Sequence, residues 1–178
     1  MPPYRHTDDT PLARLCTGGN QMRLLIAGRT PSALTIPDTS GFDRVAWLAW
    51  PGQPAAGAVV ADQQRLPFNE ALFDKALVTS PLPRPAARAE LRELWRVLGP
   101  AGMALLVVKA RRRWQWQAPG WVKEPLQPVI ENAMFEVLDW QVANLPDRYH
   151  LILVGKRDGL KPAMIGRVQE VVAPANTQ

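Results

Sequence analysis

Apolar residues along this chain recur with two different periods. Arg23 to Ala27, Val45 to Trp50, Ala58 to Ala61, Phe73 to Thr79 and Met103 to Val108 are short runs rich in Val, Leu, Ile and Ala. Such runs mark strands buried on both faces, as in a parallel sheet. The third ends at Asp62, so its strand would deliver a carboxylate to the carboxyl edge of the sheet. Between the last two runs, Pro85 to Leu98 places Leu91, Leu94, Trp95 and Leu98 at intervals of three and four, with Arg88, Glu90, Arg92, Glu93 and Arg96 between them. That spacing predicts a helix with one apolar and one charged face, stopped by Gly99-Pro100-Ala101-Gly102.

The flanking segments are read in the same way. Pro125 to Phe135 predicts a helix with Leu126, Val129, Ile130, Ala133 and Met134 inward and its proline near the first turn, where proline is tolerated. Glu136 to Ala143 and Tyr149 to Lys156 predict two strands joined by Asn144-Leu145-Pro146-Asp147-Arg148, a turn of hairpin chemistry. Residues 1–21 form a polar leader that can hold one short helix, Pro11 to Cys16, capped by Asp9 or Thr10. Residues 22–157 make one α/β domain, and residues 158–178 a loosely held tail with a short element near Ile165 to Val172.

The order Asp62, Leu66-Pro67-Phe68, Phe73-Asp74, Glu93-Leu94-Trp95-Arg96-Val97-Leu98 and Gly99-Pro100-Ala101-Gly102 resembles the second half of class I S-adenosylmethionine-dependent methyltransferases, the type 11 group in particular. The resemblance spans Leu24 to Lys156 and is carried mainly by Val59 to Lys109. It implies a three-layer Rossmann-like sheet, mostly parallel, with a C-terminal antiparallel hairpin. It also implies S-adenosylmethionine as cofactor, with Gly28 and Thr30 at the turn under its amino-acid moiety. Asp62 would accept from the adenine amino group, Gln63 would supply a backbone donor to the ring, and Thr79 and Ser80 would face the acceptor.

The front third departs from that pattern. Only Gly28 stands in the glycine-rich turn, which reads Gly28-Arg29-Thr30-Pro31-Ser32, and prolines 31 and 37 oppose a long helix before Arg44. The next connection, from Pro51 to Gly57, is shorter than the dozen residues of an ordinary helical crossover. The first two crossover helices are therefore expected to be shortened or lost. Where the family has an acidic residue for the ribose hydroxyls, this chain has Ala49-Trp50-Pro51. Tryptophan can stack on an adenine, but its indole only donates and cannot replace a bidentate acceptor.

Composition narrows the function classes. The chain has 178 residues, 47% hydrophobic and 21% charged, a formal net charge of +5 and a pI near 9.9. A basic balance permits contact with nucleic acid, an acidic protein or anionic lipid. Cys16 is the single cysteine, which excludes a disulfide framework and the usual zinc ligand sets, and no apolar run reaches the roughly 18 residues of a membrane span. With no signal-peptide h-region at the N-terminus, a cytoplasmic protein is expected. No nucleophile-elbow serine or phosphate-loop lysine occurs, His6 lies in the leader, and His150 inside a strand reads as a core or edge histidine. Hydrolase, kinase and metal-enzyme chemistries thus lack residues.

Methyl transfer needs no protein nucleophile, only that sulfonium and acceptor be held together. Two readings stay open. One is an S-adenosylmethionine-dependent methyltransferase of unknown acceptor with an abbreviated pocket. The other is a methyltransferase-fold protein that does not catalyse and serves as a binding or scaffold subunit. Its contact would be a protein, or nucleic acid held by the loop Arg111-Arg112-Arg113-Trp114-Gln115-Trp116, where arginines can hold phosphates and tryptophans can stack bases. A sheet face bared by missing helices would also favour self-association.

Overall fold

The computed structural model describes residues 10–17, 19–53, 56–115, 117–145 and 147–159. The leader before residue 10, Trp116 and the tail element near Ile165 to Val172 lie outside them. Seven strands form one sheet: β1 (Arg23–Ala27), β2 (Arg44–Ala49), β3 (Val59–Val60), β4 (Phe73–Thr79), β5 (Leu98–Lys109), β6 (Phe135–Leu145) and β7 (Asp147–Lys156). Their spatial order is β3-β2-β1-β4-β5-β7-β6. The first five are mutually parallel and β7 runs antiparallel between β5 and β6. The expected α/β architecture with its terminal hairpin is therefore present.

Helices α1 (Pro11–Cys16), α2 (Ala87–Val97) and α3 (Lys123–Asn132) complete the layers. Thr10 caps α1, its Oγ1 accepting from the Ala13 N–H at 3.1 Å, and Pro11 takes the first turn. Six residues are too few to hold a helix in water. Leu12 and Leu15 are buried against Leu24, Leu77, Leu105 and Leu153, and full burial of a leucine contributes about 1.5–3 kcal/mol. The buried Lys75 of β4 donates to the Thr17 carbonyl at the end of α1, tying the leader's helix to the sheet.

On the opposite face α2 and α3 cover β4, β5 and β7 with Ala87, Leu91, Leu94, Val97, Leu126 and Ile130. Glu90 belongs to this buried face at 7% exposure rather than to the charged one. Its position is one turn from Leu94, on the same stripe. The glycine-proline segment after α2 also differs from the expected stop. The chain enters β5 at Leu98, and Gly99 to Gly102 form a bulge within it, with Ala101 at φ 53°.

The connection from residue 28 to 43 holds no helix; its Leu34, Ile36 and Phe42 pack on the α1 face. The connection between β2 and β3 likewise has no helix among the described residues. Both crossover helices are thus absent there, as the prolines required. One expectation fails at this edge. The Val59–Val60 strand was read as buried, yet both residues are more than half exposed, and Trp47 of β2 is 45% exposed. β-branched residues favour a pleated strand wherever it lies, but burial needs a covering layer, and among the described residues none is built here.

Candidate functional site: the carboxyl edge of the sheet

In an open α/β sheet the ligand crevice lies outside the carboxyl ends of the strands where their order reverses. Here that point falls between β1, ending at Ala27, and β4, ending at Thr79. Gly28 sits there at φ +81°, its N–H bonded to the Leu48 carbonyl. A Cβ at this residue would lie 2.1 Å from the Thr79 carbonyl oxygen and 2.3 Å from the Trp50 Nε1. Glycine is therefore demanded by this chain's own packing.

Trp50 follows β2 and turns inward, 4% exposed, across the end of β1. Its Nε1–H donates to the Thr79 carbonyl at 2.7 Å. The indole thus bridges the ends of β2 and β4 directly over Gly28. What lies beneath is a small cavity of about 20 Å³, lined by Leu25, Ala27, Leu66, Leu91, Leu106 and Val108 among others, with Gln63, Ser80 and Glu90 as its polar members. That volume admits about one water.

The polar members form one cluster. Ser80 Oγ–H donates to Glu90 Oε2 at 2.9 Å, and Ser80 Oγ accepts the Leu82 N–H at 3.0 Å. The Gln63 carboxamide, oriented by its surroundings with nitrogen toward Glu90, donates to Oε1 at 2.8 Å and Oε2 at 2.9 Å. Burial pushes the Glu90 carboxyl above the ordinary range, the Ser80 hydrogen bond opposes that rise, and the nearby Asp62 charge adds to it. Glu90 is a buried carboxyl supported by neutral donors.

The sequence-derived candidates thus separate. Gln63 and Ser80 line the cavity, Gly28 lies against the Trp50 indole and the Thr79 carbonyl, and Thr30 lies two residues beyond Gly28 in the loop, partly exposed. Asp62 is exposed, and its Oδ1 accepts the Gln64 N–H at 2.9 Å while the residue bridges to Arg65, so the carboxylate serves its own turn. Ser80 likewise closes a turn before Leu82. Reading the sequence missed two residues here. Glu90 was legible from its helical spacing, while nothing local told that Trp50 would point inward.

Arg111, Arg112, Arg113 and Trp114 belong to a second region, after β5. Trp121, 4% exposed, anchors it: its N–H donates to the Lys109 carbonyl and its own carbonyl accepts from Arg111 N–H, both at 2.9 Å. The Trp121 indole donates to the Leu82 carbonyl at 2.8 Å, which joins this region to the crevice. His150 Nδ1 accepts from the Trp140 indole at 3.1 Å, so its Nε2 carries the proton donated to the Trp121 carbonyl at 3.0 Å. Burial holds this imidazole below its ordinary pKa, and it acts as a neutral brace. Among the described residues no cluster of three or more His, Cys, Asp or Glu could hold a metal, and no helix is long and apolar enough to cross a membrane.

The sheet order, the terminal hairpin and the crevice position can be set against known structures. A 1,6-didemethyltoxoflavin-N1-methyltransferase from Burkholderia thailandensis, solved with 1,6-didemethyltoxoflavin and S-adenosylhomocysteine, superposes with TM-score 0.59 at 18% identity, covering 83% of this chain and 75% of that one. This is the class I S-adenosylmethionine-dependent methyltransferase fold. The methyltransferase fold is shared with a Haloferax volcanii protein solved in complex with the Trm112 methyltransferase activator (TM-score 0.61, 18% identity, 83% and 86% covered). It is shared too with the [4+2]-cyclase SpnF (0.58, 17%, 82% and 79%), so the architecture alone does not fix a reaction. No protein-family model matches the chain, and no curated protein matches it in sequence.

Proposed function

We propose that this chain is a methyltransferase-fold binding subunit that does not transfer methyl groups. The observation that carries the reading is Trp50, whose buried indole lies across the switch point and is hydrogen-bonded to the Thr79 carbonyl. A ligand pocket for a cofactor-sized molecule is on the order of 300–1,000 Å³. The cavity left beneath the indole is only about 20 Å³. S-adenosylmethionine, which the fold implies, does not fit these residues: the indole stands over the only glycine of the turn, and no carboxylate closes β2. Asp62, the remaining acceptor, has its Oδ1 committed to its own turn.

Two further features support binding as the role. The Haloferax volcanii neighbour was solved in complex with the Trm112 methyltransferase activator, which gives the fold a precedent for partnership. The basic loop after β5 offers a contact surface outside the crevice. The test is calorimetric titration of the full chain with S-adenosylmethionine and S-adenosylhomocysteine. Silence at millimolar ligand is expected. Micromolar binding that disappears in Asp62→Ala would overturn the proposal and restore the methyltransferase reading.

A further inference from the structure

The basic residues of this protein are not spread evenly. Arg84, Lys109, Arg111, Arg112, Arg113, Lys123 and Arg148 gather where β5 ends and β7 begins, and the structure ties them to one another. Arg84 lies over the Trp121 ring at 4.8 Å. Arg111 is bonded through its N–H to the Trp121 carbonyl, Lys123 follows Trp121 by two residues, and the Arg148 carbonyl accepts from Ala110 at 2.8 Å. The carboxylates paired within this group are Glu124, 3.3 Å from Arg113, and Asp147, 2.9 Å from Lys109. Among the described residues of this group, seven cations against two carboxylates leave an excess of five.

An aromatic platform stands in the same place. Trp114 is 69% exposed, with the Arg112 guanidinium 5.1 Å from its ring centre. An indole this exposed, flanked by arginine, leaves most of its surface to solvent and contributes little to folding. The loop beneath it is nonetheless built: Arg112 N–H bonds the Gln115 Oε1 at 3.2 Å, Arg111 Nη1 bonds the Gln115 carbonyl at 3.2 Å, and Gln115 N–H returns to the Arg112 carbonyl at 2.9 Å. A surface ordered before binding loses less entropy when a partner arrives.

We infer that this end of the sheet binds single-stranded nucleic acid, with Arg84, Arg112, Arg113, Lys123 and Arg148 on the phosphates and an unpaired base stacked on Trp114. The inference rests on the reading of the chain as a binding subunit and names its partner. A protein with acidic side chains would satisfy the cations but not the exposed indole, whereas every base has a face that stacks. A duplex hides those faces.

The test is fluorescence anisotropy of the full chain with labelled oligo(U) and oligo(dT) of about 15 nucleotides, the matching duplex, and labelled polyglutamate. Binding to the single strands is expected to be tightest. With about four phosphates engaged, the log–log salt slope should be near −3, roughly a 50-fold loss from 50 to 200 mM salt. Trp114→Ala should weaken binding roughly 5- to 100-fold. The triple change Arg111→Ala, Arg112→Ala and Arg113→Ala should weaken it at least as much, while Arg92→Ala on α2 should not. A preference for oligo(U) over oligo(dT), or the reverse, tells which nucleic acid the surface favours and supports the inference either way. Absence of single-strand binding at 50 mM salt, tighter binding of duplex or polyglutamate, or indifference to Trp114→Ala overturns it. Titration of S-adenosylmethionine in parallel keeps the two proposals apart, because cofactor binding would sink the non-catalytic reading and leave the nucleic-acid result standing.

Discussion

Replacing Trp50 by alanine tests whether its indole is a fixed structural member or a movable cover. The side chain is 4% exposed and packs among Leu25, Ala27, Leu48 and Ala61. Truncating a buried tryptophan costs about 3–5 kcal/mol, and the Thr79 carbonyl would also lose its indole donor, although entering water would replace part of that bond. Trp50→Phe keeps most of the apolar body and removes the N–H, so it should cost about 1–2 kcal/mol. Urea denaturation of the full chain reads both values. At about 2–4 °C per kcal/mol for a domain of this size, Trp50→Ala should also lower Tm by roughly 6–20 °C. A loss below about 1 kcal/mol for Trp50→Ala would refute the reasoning. The indole would then be loosely held, free to swing aside for a nucleoside, and the argument against cofactor binding would fall with it.

Three further outcomes follow from the same geometry. Gly28→Ala should be more damaging than an ordinary glycine substitution, since its φ of +81° is joined by a 2.1 Å approach to the Thr79 carbonyl, and adding Trp50→Ala should not rescue it because the carbonyl is backbone; recovery of soluble, cooperatively unfolding double mutant at wild-type Tm would contradict this. Glu90 has a raised folded pKa, so its contribution is full below the unfolded carboxyl pKa and is lost as pH rises through the folded one. Glu90→Gln should therefore gain stability relative to wild type as pH rises above the ordinary carboxyl range in a series of melts, and a relative loss over that rise would show the carboxylate to be the favoured form. Arg96 donates to Glu93 and to the Phe68 and Leu66 carbonyls, pinning the turn before β4 to α2. Arg96→Ala should cost about 1.5–3 kcal/mol in urea against less than about 0.5 for the exposed Arg92→Ala. The Arg96 bond also holds the Glu93 carboxyl below its ordinary range, so this contribution is present above the unfolded pKa and fades as pH falls; equal losses for the two variants would deny the network any role.

What the chain itself determined is everything that depends on local period and turn chemistry. The strands Arg23–Ala27 and Phe73–Thr79, the apolar stripe of α2, the Thr10-capped α1 and the terminal hairpin follow from residues within a few positions of one another. The loss of both crossover helices was legible for the same reason, because proline removes a backbone donor wherever it stands. Tertiary structure decided the matters that depend on which strand lies beside which. Val59 and Val60 have a buried strand's composition but stand at a sheet edge, with no layer over them among the described residues. Trp50 and Thr79 are 29 residues apart and meet only because β1, followed by Gly28 with no side chain, lies between β2 and β4. Trp121 becomes the anchor of the basic surface through partners at Leu82, Lys109 and His150. Side-chain direction at a strand's end is set by the neighbours the sheet order supplies, and that order is not written in any one stretch of the chain.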